Sequence, residues 1–184
     1  MADNLKRDDS EVTGAEELSV VTERLVLRPW RLSDAEALYK YASDKRVGRM
    51  ALWPRHTSVE MSRSVITDFF IPNPMTLAMV LRQTGEAIGC IGLVPKGCEH
   101  FTLLDGEREV GYWVGHPYWG LGFTTEALRA LIIYCRNTLH LPSLLITLDA
   151  RNIGSRRVAE KCGFELVADY VLCASPGKAY RLIL

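Results

Sequence analysis

The sequence predicts an α+β domain built on a mixed, mostly antiparallel central sheet of about seven strands flanked by helices. Three observations carry that expectation. In the middle of the chain, strand-like apolar runs are separated by short turn signals, the mark of an antiparallel meander. A strong helical stripe follows, with Ala127, Leu128, Leu131, Ile132, Cys135 and Leu139 on one side. The two periods then alternate again before the chain ends.

Each element has a local reason. Residues 22–27 (Thr-Glu-Arg-Leu-Val-Leu) alternate polar and aliphatic side chains until Arg28-Pro29 stops them, which reads as a first strand. Ser33-Asp34 offers a cap for a short helix that carries Ala37, Leu38 and Tyr41 on one face and ends near Ser43. Thr57 and Glu60 have capping-box spacing for a helix running to Phe70, where Ile71-Pro72-Asn73-Pro74 breaks it. The first third is therefore one strand and two or three helices. Strands are expected over 77–83, 87–94 and 109–114, separated by Thr84-Gly85 and by a polar loop over 97–106. The long helix covers 124–139, and a strand covers 144–148. Asn152 caps a helix over 153–161 that Cys162-Gly163 terminates, and two strands over 165–173 and 179–184 complete the sheet.

Composition narrows the function. The chain of 184 residues reads as an acidic, flexible arm over 1–18 followed by a single domain over 19–184. The arm carries Asp3, Asp8, Asp9, Glu11, Glu16 and Glu17 against Lys6 and Arg7, unlike a secretory signal or a transit peptide. Across the chain 22 Lys+Arg balance 22 Asp+Glu, so no broad basic surface is available and nucleic-acid binding is not expected. The longest apolar run, 130–135, falls far short of the roughly 18 residues of a membrane span, so no membrane partner is expected either. Five cysteines without a C-x-x-C pair read as reduced thiols of a cytoplasmic protein. Cys98 and His100 could begin a metal site, but no second pair stands at the spacing that would close it, and no metal is expected.

The most informative stretch joins a strand to the long helix through Gly115, Gly120 and Gly122. Glycines there let successive backbone N–H groups converge at a helix N-terminus, where free donors and the dipole both favour an anion. The outer spacing Gly115 to Gly120 resembles a P-loop, but Leu121-Gly122 stands where Lys and Ser/Thr would grip phosphate and magnesium. The third glycine of a dinucleotide fingerprint is replaced by Thr125. A magnesium-free pyrophosphate on a long flexible arm fits better, and coenzyme A has that shape.

Tyr118-Trp-Gly-Leu-Gly-Phe-Thr-Thr-Glu-Ala127 resembles the acyl-CoA loop of the GCN5-related N-acetyltransferases, the GNAT superfamily. The stretch Asp149-Ala-Arg-Asn152-Ile-Gly-Ser155 through Phe164 is similar to that family's next strand and helix. Thr22-Glu-Arg-Leu-Val-Leu-Arg-Pro29, Asp34-Ala35 and Trp53-Pro54 add a block resembling the branch that acetylates alanine or serine N-termini of ribosomal proteins. The resemblance implies the acyl-CoA N-acyltransferase fold and acetyl-CoA as co-substrate. It places the pyrophosphate on the N–H groups of Gly120, Leu121, Gly122, Phe123, Thr124 and Thr125, and the pantetheine beside Val114 and Gly115 as an added strand. Asn152 matches a residue that bonds the cofactor arm. Trp119 stands where Gln or Arg is common, a departure expected to matter little.

The same resemblance assigns the catalytic roles. Glu109 is the expected base, with Glu107 a distant second; the bland reading of Glu109 is a solvated strand carboxylate or a partner of Arg108. The Val114 N–H is the expected oxyanion donor. The family's helix tyrosine is replaced by Ala159, and Ser155 is the substitute acid, with a local backbone-bonding hydroxyl as its alternative. His116 reads as a turn residue, and Arg156 and Arg157 as phosphate contacts or solvated charges. Trp53, Trp113, Tyr118 and Trp119 read as an acceptor-pocket floor or as core. Cys135 and Cys162 on core-like faces favour direct transfer without an acyl-cysteine. The expected reaction moves acetyl to a primary amine, foremost a peptide N-terminal α-amine. The alternatives are a small-molecule amine, or a non-catalytic coenzyme A sensor. A homodimer is compatible with the family likeness.

Overall fold

The computed structural model describes residues 18–51 and 53–184. The acidic arm expected over 1–18 thus lies outside the described residues apart from Leu18. In chain order the elements are β1 (Val20–Val21), β2 (Leu25–Pro29), α1 (Ala35–Ala42), α2 (Lys45–Ala51), α3 (Val59–Val65), β3 (Thr76–Leu81), β4 (Ala87–Leu93) and β5 (Arg108–Val114). They continue with α4 (Phe123–Asn137), β6 (Ser143–Asp149), α5 (Ile153–Lys161), β7 (Glu165–Leu172) and β8 (Ser175–Ile183).

The strands form one eight-stranded sheet in the order β1-β2-β3-β4-β5-β6-β8-β7. Every pairing is antiparallel except that of β5 with β6. This is the expected mixed α+β architecture with one more strand. The addition arises because the run expected over 22–27 is cut by a turn: the Thr22 N–H donates to the Leu25 carbonyl, and the Leu25 N–H donates back to Thr22 Oγ1. Val20–Val21 then folds against β2 as a strand of its own.

Three other boundaries moved for local reasons. The cap of α3 is Ser58, whose Oγ accepts the Met61 N–H at 3.1 Å, while the Thr57 hydroxyl faces the Met61 sulfur. After Val65 the helix widens into a π turn over Ile66–Phe70, which stacks Phe70 on Trp30 at 5.0 Å. β8 starts at Ser175 because the β7–β8 turn is only Cys173 and Ala174, both left-handed at φ 47° and 61°.

β3 shows how the two faces divide. Leu77 and Met79 enter a core with Leu27, Leu128 and Leu131 under α4 and α5, whereas Ala78 and Val80 enter a second core with Trp30, Leu38 and Ile66 under α1 and α3. Each buried leucine contributes about 1.5–3 kcal/mol. Those cores hold the sheet while its centre opens. β5 stays on β4 over its full length but meets β6 only at Arg108–Leu144 and Glu109–Leu145, after which the two strands part.

Candidate active site

The parting of β5 from β6 decides which backbone groups are available. The Val94 N–H donates to the Glu109 carbonyl and the Gly115 N–H to the Ile88 carbonyl, so odd-numbered residues of β5 face β4. Alternation turns the N–H groups of Tyr112 and Val114 toward the gap. The Val114 carbonyl is engaged: Trp119 Nε1 donates to it at 2.8 Å. Trp119 is therefore not a neutral replacement, because its indole ties the glycine turn to the end of β5. Gly115 does not aim its N–H into the gap. Its glycine identity follows from close approach, since a Cβ there would lie 2.4 Å from Tyr41 Cδ1.

Beyond Gly115 a 3-10 turn leads to Gly120 and Gly122, both left-handed at φ 75° and 83°. Gly122 caps α4, whose first intrahelical bond is Glu126 N–H to the Gly122 carbonyl, so the N–H groups of Phe123, Thr124 and Thr125 precede it as free helix-start donors. Leu121 is placed differently. Its N–H turns to the Tyr118 carbonyl at 3.4 Å, its side chain is exposed, and its carbonyl accepts from Arg24. Glu126 braces the turn from behind, accepting from the Thr22 hydroxyl at 2.6 Å, the Arg24 N–H at 2.8 Å and Arg24 Nε at 2.6 Å.

A cavity of about 510 Å³ lies over this turn, bounded by Val114, Gly120, Gly122, Phe123, Thr124, Thr125 and Asn152, with Arg151, Arg157 and Lys161 among its lining. Among the described residues no carboxylate lines it. Oriented N–H groups with cations and no competing anion fit a pyrophosphate. Arg156 instead faces Glu160 along the helix at 3.6 Å. Tyr118 and Trp119 belong to this cavity, Trp53 to a second one, and Trp113 to both.

That second cavity, of about 570 Å³, has apolar walls from Trp53, Met61, Val65, Phe69, Phe70 and Leu172. Glu109 lies in its lining and is buried, with 1% of its surface exposed. One carboxylate oxygen accepts the His100 N–H at 2.7 Å; the other meets His100 Nδ1 at 3.0 Å and the Thr147 hydroxyl at 2.5 Å. The Glu109 hydrogen bond holds the His100 imidazole above its ordinary pKa, against the opposing effect of burial. The solvated-face reading of Glu109 fails on burial, and Arg108 spends its guanidinium on the Val94 carbonyl. Glu107 lies outside both cavities. Burial opposes its charge, but the Arg181 guanidinium, the Leu104 N–H and the Ser143 hydroxyl outweigh that and hold it low, as a structural ion pair.

The two cavities share Met50, Ala51, Tyr112, Trp113, Asn152 and Ser155. Ser155 Oγ donates to the Tyr112 hydroxyl at 3.0 Å, and that hydroxyl donates to the Ser155 carbonyl at 3.1 Å. Burial pushes the Tyr112 phenol well up, with the Ser155 hydrogen bond only partly opposing it, so the phenol stays protonated. Asn152 caps α5 by accepting the Ser155 N–H at 3.0 Å, and its amide donates to the Met50 carbonyl at 3.2 Å, tying α5 to α2. Sequence reasoning missed Tyr112 and the His100–Glu109 contact. Tyr112 could have been found as an alternate-face residue of the strand ahead of the glycine turn, whereas His100 sits in a loop without periodicity.

His56 lines the second cavity with Nδ1 2.7 Å from Ser62 Oγ, and burial holds its pKa down. Asp149 is spent on Arg151, whose N–H and guanidinium bind it at 2.9, 2.8 and 2.5 Å. His116 lies in the 3-10 turn beside Trp119. All five cysteines are free; burial pushes Cys90 up to about 12 and Cys135 up to about 11, and raises Cys162 as well. Such thiols are poor nucleophiles.

A donor-lined groove and an apolar-walled cavity that share Tyr112, Trp113, Asn152 and Ser155 suit group transfer from a long anionic carrier, and the class is acetyl-CoA-dependent N-acetyltransferase. The acetyltransferase (GNAT) domain model matches residues 24–165, and the chain belongs to that family. An uncharacterized N-acetyltransferase, p20 of Bacillus licheniformis, is 30% identical over 165 residues, spanning 83% of this chain and 86% of its own. A Vibrio cholerae structure assigned as a ribosomal-protein-serine acetyltransferase superposes with a TM-score of 0.73 at 25% identity, covering 91% of this chain and 98% of that one. Mycobacterium smegmatis RimJ, solved with CoA-disulfide, superposes at 0.71 with 20% identity over 91% and 88% of the two chains. No described helix is long and apolar enough to cross a membrane.

Proposed function

We propose that the protein transfers acetyl from acetyl-CoA directly to the α-amine of a peptide or protein N-terminus. The observation that carries this reading is the acceptor-side cavity: aromatic and aliphatic walls with one acid–base cluster at Glu109. Such a cavity suits one ammonium group beside an apolar or small side chain. A polycation would find few unengaged acids, since Asp149 is already held by Arg151. The α-amine also has a pKa of about 7.7–8 against 10.4 for lysine, which makes its free base roughly 3–4 kcal/mol easier to reach at pH 7.

The roles follow the geometry. Gly120, Gly122, Phe123, Thr124 and Thr125 cradle the pyrophosphate through N–H groups, with Arg157 and Lys161 beside them, and Leu121 braces the turn from outside. The Val114 N–H donates to the oxygen on which charge develops. Asn152 holds the helix start at the junction, and the Ser155–Tyr112 hydroxyl pair supplies the proton for the departing thiolate. The amine proton leaves toward the Glu109–His100 cluster. The Vibrio assignment and the RimJ complex support the acceptor class and the coenzyme.

A thiol-release assay over peptides with varied N-termini, polyamines, amino acids and aminoglycosides tests the reading. N-terminal peptides are expected to give the highest kcat/KM. Faster turnover of free small amines would move the acceptor class, and saturable coenzyme A binding with no turnover on any amine would establish a sensor instead.

A further inference from the structure

We propose that His100 is the group that receives the proton from the acceptor amine, with Glu109 behind it as the positioning carboxylate. This deepens the peptide-acetylation reading and rests on it.

The geometry is that of an oriented imidazole. A carboxylate only accepts hydrogen bonds, so His100 Nδ1 carries the hydrogen in its 3.0 Å contact with Glu109 Oε1. In the neutral ring Nε2 then keeps its lone pair. The Nδ1 edge is turned to Glu109, which is 2% exposed in its side chain, while 46% of the His100 side chain is open. His100 lines the same cavity as Glu109, and the ring nitrogen that Glu109 leaves unengaged is Nε2. Glu109 has less acceptor capacity to offer: it already takes the His100 N–H, His100 Nδ1 and the Thr147 hydroxyl.

The loop holds the pair in place. Glu109 fixes the main chain at His100, and Glu107 fixes it at Leu104 through an N–H bond of 3.0 Å. Thr147 reaches Glu109 from β6, and the Tyr170 ring packs on Phe101 beside them. The charged groups that act on the imidazole are Glu109 from β5 and Glu99 from its own loop; Tyr170 from β7 faces Glu109, and Cys98 and Cys173 line the same cavity. The two acids act in one direction, raising the basicity of the ring toward the pH at which an α-amine is partly free.

The proton balance is simple. The ammonium gives one proton to His100 Nε2, which passes it to solvent. The free amine forms the N–C bond as the C–S bond breaks, the second nitrogen proton departs with the thiol, and the third stays on the amide. One proton is released per acetyl transferred.

The experiment uses the full chain, the best peptide acceptor, and the variants His100→Gln and Glu109→Gln. His100→Gln keeps the main-chain N–H that Glu109 accepts, so coenzyme A affinity and melting temperature report whether the fold survives. The expected result is an approximately 10²-fold lower kcat with KM little changed and the acid limb of kcat/KM lost. NMR titration without substrate, with His100 assigned by its absence in His100→Gln, should show the imidazole pKa lowered in Glu109→Gln. Wild-type kcat and acid limb in His100→Gln, or a His100 titration unmoved by Glu109→Gln, would overturn the proposal. Failure of the wild-type protein to acetylate any amine would overturn the peptide-acetylation reading itself, a result separable from either.

Discussion

In the proposed site the coenzyme end is built from main chain and the acceptor end from side chains. At the coenzyme end, two left-handed glycines and a helix start present N–H groups, and side chains such as Trp119 and Glu126 act from behind. At the acceptor end, Glu109, His100, Thr147, Tyr112 and Ser155 come from two strands, a loop and a helix. A main-chain site tolerates exchange of side chains but not of backbone conformation. A side-chain site is the reverse, and it exists only once distant elements have packed.

The strongest break in this comparison should come from the acceptor end. Glu109→Gln is expected to lower kcat/KM by about 10²-fold or more while leaving coenzyme A affinity near wild type, measured by steady-state kinetics and calorimetric titration. Loss of coenzyme binding as well would mean that the two ends are not separable. At the coenzyme end, Gly122→Ala forces a Cβ onto a left-handed residue, at a cost of about 1–2 kcal/mol. Coenzyme A affinity should fall by around tenfold.

Smaller effects sharpen the picture. Trp119→Phe keeps the ring and removes the bond to the Val114 carbonyl, worth about 1 kcal/mol, so the melting temperature should fall by about 2–4 °C. Ala174→Gly relieves a left-handed alanine in the β7–β8 turn and should raise the melting temperature by a similar amount. The two cavity histidines should give opposite pH dependences of stability. His56, whose pKa burial lowers, withdraws stability as pH falls below the unfolded value near 6.5. His100, whose pKa Glu109 raises, contributes stability below that value and loses it as pH rises through its folded pKa. Melting curves of His56→Gln and His100→Gln between pH 5 and 9 should flatten the acid and the alkaline side respectively.

Much of the fold was legible because its causes are local. The meander, the long helix with its stripe, the Asn152 cap and the glycine turn are each written within a few neighbouring residues. The boundaries that moved did so where two local signals compete, as with Thr57 and Ser58 at the start of α3. Ser155 was legible as a residue, but its bond to Tyr112 was not, because the partners are 43 positions apart. Leu121 belongs to the motif by spacing, yet its N–H turns to Tyr118, since alternating left-handed glycines rotate the residue between them outward.

The amino-acid sequence by itself determined the order of most elements, the glycine turn ahead of the long helix and the family to which the chain belongs. These depend on backbone conformations that a few adjacent residues set. Only the tertiary structure decided where the sheet opens, that Glu109 is buried, and which hydroxyl and imidazole meet it. Those outcomes depend on strand register and on a loop folding back over a carboxylate, and no local spacing encodes a contact between groups that packing brings together.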